Sequence, residues 1–382
     1  MKFELNDDQR MLSDSVQTWL GKEYGHEAWR AISLSPARWS SKVWAQFAEM
    51  GWLSAPLAEA HGGLGGGTVE SFVIGEAFGS ALVLEPYLSS VVIGAGLIAQ
   101  AGTAEQAAEY LPRIAEGQLK TAFAFAEAQS RFELHDVQTR ADKRDGAYVL
   151  SGSKVTVWDA PDADLLIVLA RTAGGRLDEQ GLGLFLVARD APGVSLSSFP
   201  MMDRRAGAHI RFDGARAQAV LGDGESALGA VRGVVDQALV YLAAEACGAM
   251  RAANAITLDY IKQRKQFGQA LAEFQVLRHR MVDMTVQTEC SYSLALHAAL
   301  TGSGAAAGSA ELAKVAAAAK VQTGRAGRWV GHQGIQLHGG MGMTDDMAIG
   351  HYMKRLVMID TAFGNADHHQ RRFAQLTRTA AA

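Results

Sequence analysis

Between Leu5 and about Gly117, apolar residues recur three or four positions apart, as in Met11, Val16 and Leu20 and again in Val43, Phe47 and Met50. That period predicts amphipathic helices, with Asn6 or Asp7 placed to cap the first. From about Thr121 to Gly222 the pattern shortens to runs such as YVLSGSKVTV, DLLIVLA and LGLFLVA, parted by turn-forming RDGA and APDAD. These predict strands. From Ser226 the helical period returns, and Val235, Leu239, Leu242, Ala246, Ala249 and Ala253 fall on one face of a long helix. Further helices are expected to begin near Glu273 and Ser309, and a last one to cover Asp345–Met358. TGSGAAAGS (301–309) reads as a connecting loop. Helices precede strands and helices follow them, without alternation, so the pattern is α+β rather than doubly wound α/β. No internal repeat is visible.

Composition narrows the class. The chain has 382 residues, 48% of them hydrophobic, and a net charge of −4 with acidic and basic residues interspersed. That supports more than one domain and excludes the concentrated Lys/Arg of a nucleic-acid binder. The two cysteines, Cys247 and Cys290, form no Cys-x-x-Cys pair and read as reduced core thiols. The charged start MKFELNDDQR contains no apolar signal segment. The least charged long stretch, PYLSSVVIGAGLIAQAGTA, is too polar for a bilayer span. A cytoplasmic location is expected.

Four motifs carry candidate chemistry. HGGLGGG (61–67) follows a helical pattern, not a strand, and so reads as a tight inter-helix loop rather than a dinucleotide fingerprint. QLHGGMGM (336–343) follows a helix; its paired glycines allow close backbone approach, and free N–H groups there can face phosphate or ribose oxygens. A glycine helix stop explains it equally well. In RKQFGQALAEFQ (264–275), Arg264 offers a forked phosphate donor, Phe267 an aromatic face, and Gln266 and Gln275 amide contacts. DTAFGNADHH (360–369) gathers two aspartates and two histidines, but the adjacent His368 and His369 diverge on any regular element. No metal-ligand spacing is present there or among His332, His338 and His351, so no metal site is expected.

In combination, the helical–β–helical order, RKQFGQALAEFQ, QLHGGMGMTDDMAIGHYMKRL and the terminal FGNADHH resemble the acyl-CoA dehydrogenase family over essentially the whole chain. LEPYLSSVV (84–92), AAEACGAM (243–250) and MIDTAFGNADHH are most like the small subunits of two-subunit members, such as the pimeloyl-CoA dehydrogenase small subunit. The resemblance implies an N-terminal helical domain (1–118), a middle β-barrel-like domain (119–224) and a C-terminal four-helix bundle (225–382). It implies FAD as cofactor, an acyl-CoA substrate, a homo- or hetero-oligomer and electron-transfer flavoprotein as acceptor. It implies that Arg264, Gln266, Phe267 and Gln275 contact the FAD pyrophosphate and adenosine, typically from a neighbouring subunit. Gln336, Gly339 and Gly340 are expected on the adenine-dinucleotide half. Asn365 and Asp367 are expected near its active-site end.

The departures are specific. The family removes the substrate α-proton with a carboxylate while the thioester oxygen is gripped by donors. The commonest base position is Phe363 here, and a second position, earlier in the long helix, is Ala238. The backbone N–H at 363, which the family uses as an oxyanion donor, survives that change. TVW (156–158) replaces a Trp-Ile-Thr stretch beside the flavin, and AFAFAEA (122–128) lacks its usual Thr. The catalytic residue is therefore unassigned. Three readings remain: a subunit whose larger partner supplies the base; a self-sufficient oligomer with a relocated base, Glu245 first and then Asp360 or Asp367; and a non-catalytic scaffold or CoA-ester binder. A structural carboxylate paired with a buried arginine is the simpler account of Glu245, which lies about two helical turns from Ala238.

Overall fold

A computed structural model describes residues 4–305 and 308–381. The N-terminal helices are α1 (Asp7–Glu23), α2 (His26–Leu34), α3 (Ser41–Glu49), α4 (Thr68–Ala81), α5 (Ala95–Ala101) and α6 (Ala104–Ala115). Asn6 caps α1 in a capping box with Gln9. HGGLGGG lies between α3 and α4, with Gly62 and Gly65 at positive φ and no strand before it. The strands are β1 (Thr121–Ala124), β2 (Arg140–Arg144), β3 (Ala147–Trp158), β4 (Leu165–Arg171), β5 (Leu182–Ala188), β6 (Val194–Pro200), β7 (Ala206–Arg216) and β8 (Ala219–Leu221). Then follow α7 (Leu228–Gln263), a short hairpin of β9 (Lys265–Gln266) and β10 (Gln269–Ala270), α8 (Gln275–Gly304), α9 (Ala310–His338), α10 (Ala348–Thr361) and α11 (Ala366–Ala381). No helix among the described residues is long and apolar enough to cross a membrane.

The chain divides into two compact units, one of residues 1–31, 68–83 and 239–382, the other of residues 32–67 and 84–238. In the second unit the strands pair in the order β6-β7-β3-β2-β4-β5-β8, with β1 parallel to β4. Every residue of β4 is buried, which is why LLIVLA is apolar without alternation. Arg171 ends that strand, 1% exposed, and donates to the carbonyls of His135, Val137, Ala173, Arg176, Asp178 and Gln180. Glu127 and Lys154 form a buried ion pair at 2.8 Å, and Glu127 also accepts the backbone N–H groups of Gln138 and Thr139. Burial pushes the Glu127 carboxyl up, but Lys154, Gln129 and the Thr139 N–H outweigh it and hold it down at about 2.

In the first unit α4 is buried on nearly every face and packs closely on α7. A Cβ at Gly79 would lie 1.9 Å from the Glu245 carbonyl oxygen, and one at Gly248 would lie 1.8 Å from that of Glu76. Glycine is required at both positions for the backbones to approach.

Four expectations are corrected. Residues 301–304 are not loop but the last turn of α8, where Thr68 Oγ1 donates to the Ala299 carbonyl at 2.8 Å and the Thr68 side chain fills the space beside Gly302. That packing overrides the poor helix propensity of two glycines; residues 306–307 of the expected loop lie outside the described residues. Asp345–Met358 is not the last helix, because α11 follows it. RKQFGQALAEFQ, whose plainest reading from sequence is an exposed helical hairpin, contains a short β-hairpin of Lys265–Gln266 against Gln269–Ala270. Cys247 is buried, as expected, but Cys290 is exposed on α8.

Candidate cofactor and substrate site

The hairpin after α7 has Gln266 opposite Gln269, leaving Phe267 and Gly268 as a two-residue loop, both at positive φ (53° and 84°). That is the backbone signature of a type I′ turn. A phenylalanine in this conformation is strained by about 1–3 kcal/mol, and Phe267 is also 91% exposed. Arg264 stands at the base of the hairpin, its carbonyl accepting from Leu271 at 2.8 Å. On the facing element, α9 ends at His338 because Gly339 turns to φ 62°, ψ −142°, a conformation only glycine adopts freely. Tyr260 stacks on the His338 ring at 4.3 Å and donates to its carbonyl at 3.2 Å, joining the ends of α7 and α9.

Between these elements lies a cavity of about 610 Å³ lined by Tyr260, Arg264, Gln266, Arg280, Gln336, His338, Gly339 and Gly340, among others. Five residues singled out in the sequence thus meet on one wall set: Arg264, Gln266, Gln336, Gly339 and Gly340. Phe267 and Gln275 are not in that lining; Gln275 sits at the start of α8 beside His279. A Cβ at Gly339 or Gly340 would meet nothing within 4 Å, so the backbone there borders open space. The sequence reading missed Arg280, a second guanidinium held by Gln333 at 3.0 Å. It also missed the part of His338. Its Nδ1–H donates to the Gly334 carbonyl at 2.8 Å, and burial lowers its pKa, so the ring is neutral and Nε2 is a pure acceptor. That Nε2 is buried without a hydrogen-bond partner. Two guanidinium groups, two amides and open backbone match a ligand with anionic oxygens.

Asn365 and Asp367 line a different cavity of about 310 Å³, together with Arg325, Arg328, Trp329, His332 and Asp360. The two linings share no residue. Asn365 is the cap of α11, its Oδ1 accepting the His368 N–H at 3.0 Å, and Asp367 reaches Arg325 at 3.6 Å. The α9 contribution was also missed, although it is legible: Arg325, Arg328, Trp329 and His332 stand at i, i+3, i+4 and i+7 on one helical face.

The 363 position lies on the turn between α10 and α11. Phe363 is at φ 53° and Gly364 at φ 111°. Lys320 of α9, fully buried, donates to the carbonyls of Ile359, Asp360 (3.1 Å) and Ala362 (3.0 Å). Three ammonium protons meet three acceptors at a helix C-terminus, where positive charge is favoured. Burial pushes this ammonium down to about 7, with Asp360 opposing. Asp360, 2% exposed, accepts the Ala366 N–H at 3.1 Å. His369, 1% exposed, contacts the Phe363 carbonyl through Nε2 at 3.0 Å. Burial, reinforced by Lys320 and His368, lowers His369 to about 3, so it is neutral with Nε2 protonated.

Of the relocated-base candidates, Glu245 is committed elsewhere. Arg355 grips it with two bonds, Nε to Oε1 at 2.8 Å and Nη2 to Oε2 at 2.7 Å, and both side chains are buried. Asp360 is engaged within its turn and faces Arg328 at 3.6 Å, and Asp367 faces Arg325 at 3.6 Å; Ala238, the second base position, is fully buried on α7.

Comparison with known proteins agrees with this architecture. Family models for the N-terminal, middle and C-terminal domains of acyl-CoA dehydrogenase match residues 6–118, 122–214 and 228–375. Acyl-CoA dehydrogenase FadE12 of Mycobacterium tuberculosis is 30% identical over 91% of this chain and 90% of its own. Among solved structures, a variant of the Tcur3481-Tcur3483 steroid ACAD superposes with a TM-score of 0.87 at 28% identity, covering 98% of this chain and 99% of that one. Butyryl-CoA dehydrogenase from Megasphaera elsdenii shares the fold, with a TM-score of 0.89 at 23% identity over 99% of this chain and 100% of that one. The chain belongs to the acyl-CoA dehydrogenase family, whose members are FAD-dependent oxidoreductases acting on CH–CH bonds.

Proposed function

We propose that this chain is an FAD-binding subunit of an acyl-CoA dehydrogenase, acting on an acyl-CoA thioester with a related larger subunit that supplies the base. One contrast carries the reading: the ligand donors converge at the Arg264 cavity, while both base positions, Phe363 and Ala238, lack a carboxylate. Glu245 does not replace them, because both of its carboxylate oxygens are held by the buried Arg355 guanidinium and freeing it would break a buried ion pair.

In this reading Arg264 and Arg280 hold the cofactor pyrophosphate, Gln266 and Gln336 supply amide contacts, and Gly339 and Gly340 leave room for close approach. Phe267 and Gln275 extend the same contact from outside the cavity, and Asn365 and Asp367 serve the active-site end. Two cavities with no lining residue in common suit a dinucleotide shared between two chains. When bound, the flavin supplies the acceptor for the β-hydride. The chain's own turn at Phe363 contributes to gripping the thioester oxygen, which makes the α-proton acidic enough for a carboxylate to remove.

Domains of 1–118, 119–224 and 225–382, a location in the cytoplasm and electron-transfer flavoprotein as acceptor are part of the same proposal. A small subunit of the pimeloyl-CoA dehydrogenase kind is the finest form of it, supported by the carboxylate-free MIDTAFGNADHH ending. The similar Tcur3481-Tcur3483 enzyme, with its paired designation, points the same way. The test is the absorbance spectrum and native mass of the purified chain, alone and co-expressed with an adjacent acyl-CoA dehydrogenase gene. A yellow assembly containing both chains is expected. A chain that is colourless, and stays so after FAD is added, overturns the reading in favour of a CoA-ester-binding scaffold.

A further inference from the structure

The turn that bears Phe363 is braced far more heavily than a connection between two helices requires. Lys320 ties three carbonyls from Ile359 to Ala362, Asp360 ties the first amide of α11, and His369 ties the Phe363 carbonyl itself. The neighbouring glycines are part of the fit. A Cβ at Gly324, one helical turn beyond Lys320, would stand 2.3 Å from Asp360 Oδ1, and one at Gly364 would stand 2.6 Å from His368 and 2.9 Å from His369 Nε2. A buried lysine, a buried aspartate and a buried neutral histidine therefore converge on a turn whose central residue sits at φ 53°. Such a conformation persists only where its surroundings over-determine it. Lys320 cannot act as a nucleophile in this arrangement, since each ammonium proton is engaged by a carbonyl. Nor does any of the three side chains replace the missing base: Asp360 holds the Ala366 N–H with Oδ1 and faces Arg328 at 3.6 Å with Oδ2, and His369 is turned to the Phe363 carbonyl.

Resting on the function proposed above, we infer that Lys320, Asp360 and His369 are positioning residues. They hold the Phe363 peptide and ring in register with the thioester end of a bound acyl-CoA. What the chain retains of the reaction is then polarisation of the thioester, separated from proton removal. His369 is the most direct of the three because it fixes the carbonyl of the same residue that the proposal sets against the thioester.

Acetoacetyl-CoA tests this without requiring a catalytic base, because its own acidity reports how strongly the thioester oxygen is polarised. The full-length chain, loaded with FAD and with its partner where one co-purifies, is titrated with pH while the enolate absorbance of bound acetoacetyl-CoA is followed. Wild type is expected to lower the ligand pKa. His369→Leu and Lys320→Met should raise it again by about one unit, a tenfold loss of enolate at a given pH. His369→Gln, whose amide can still donate to the Phe363 carbonyl, should remain near wild type. If Lys320→Met does not fold, His369→Leu against His369→Gln decides. A lower Tm in the Leu and Met variants with an unchanged enolate pKa overturns the inference and leaves the cluster purely structural. If wild type itself binds no acetoacetyl-CoA, the proposed function falls and the inference falls with it, an outcome distinct from the first.

Discussion

The Arg264 cavity and the Phe363 turn, the two places to which the proposed function assigns binding and thioester contact, differ in what their side chains supply. At the cavity, Arg264, Gln266, Gln336, Gly339 and Gly340 still converge, joined by Arg280 and His338. At the turn the scaffold is intact, with Lys320, Asp360 and His369 all in place, but the side chain at its centre is a phenylalanine. In the function proposed above, binding and proton transfer are then separable: the donors gather at the first place, and the second has a frame without a carboxylate at its centre.

The largest effect that could break this contrast is kinetic. General-base catalysis contributes ~10²–10⁴-fold, so the isolated chain should reduce its flavin with acyl-CoA slower by that factor than a complex with a carboxylate-bearing partner. Rapid anaerobic bleaching of the isolated chain would end the comparison and turn attention to Asp367. Next is Glu245→Gln, which should lower stability by about 3–5 kcal/mol by removing the carboxylate charge that faces the buried Arg355, read as a denaturant midpoint. A stable variant with lost turnover would instead restore Glu245 as a base. Arg264→Ala sharpens the other side: losing a charge-assisted contact worth about 1.5–3 kcal/mol should weaken FAD binding by ~10–100-fold, measured by flavin fluorescence on titration. Undiminished retention would mean that the cavity holds something else.

The smallest effect concerns acid. Because the folded Glu127 carboxyl is held near 2, below its ordinary value of 4.5, its stabilising contribution is complete above about 4.5 and disappears as pH falls toward 2. Thermal melts of Glu127→Gln should therefore show a lower Tm at neutral pH and a flatter slope through that window. A wild-type slope in the variant would assign the acid limb to other carboxylates.

How much of this could be read beforehand depended on whether the signal was local. α7 and the buried run of β4 were legible because their periodicity is carried by their own side chains. α11 was not, since ADHHQRRFAQLTR offers few apolar positions and its start is set by the Asn365 cap and by Asp360, six residues back. The hairpin at Lys265–Ala270 escaped because a type I′ loop is normally announced by Asn-Gly, and here it is Phe-Gly. The residues that the family resemblance sets on the cofactor divide between two cavities, and that division depends on tertiary packing that motif spacing does not encode. The face of Arg325, Arg328, Trp329 and His332 was available in the sequence and simply not used. The role of Lys320 was not available: nothing local distinguishes it from any lysine in an alanine-rich helix.

Arg171 has a consequence that reaches beyond its strand. Six carbonyls from two loops share the five N–H donors of one guanidinium, without a carboxylate among its hydrogen-bond acceptors. The segment TAGGRLDEQG that follows it is exposed and rich in glycine, so its own residues do little to specify a shape. Its conformation is dictated from underneath, by a side chain outside it, and the loop is free to vary in sequence as long as the backbone oxygens stay where the arginine can reach them. Lysine, with three donors on a single atom, could not replace that fan of contacts.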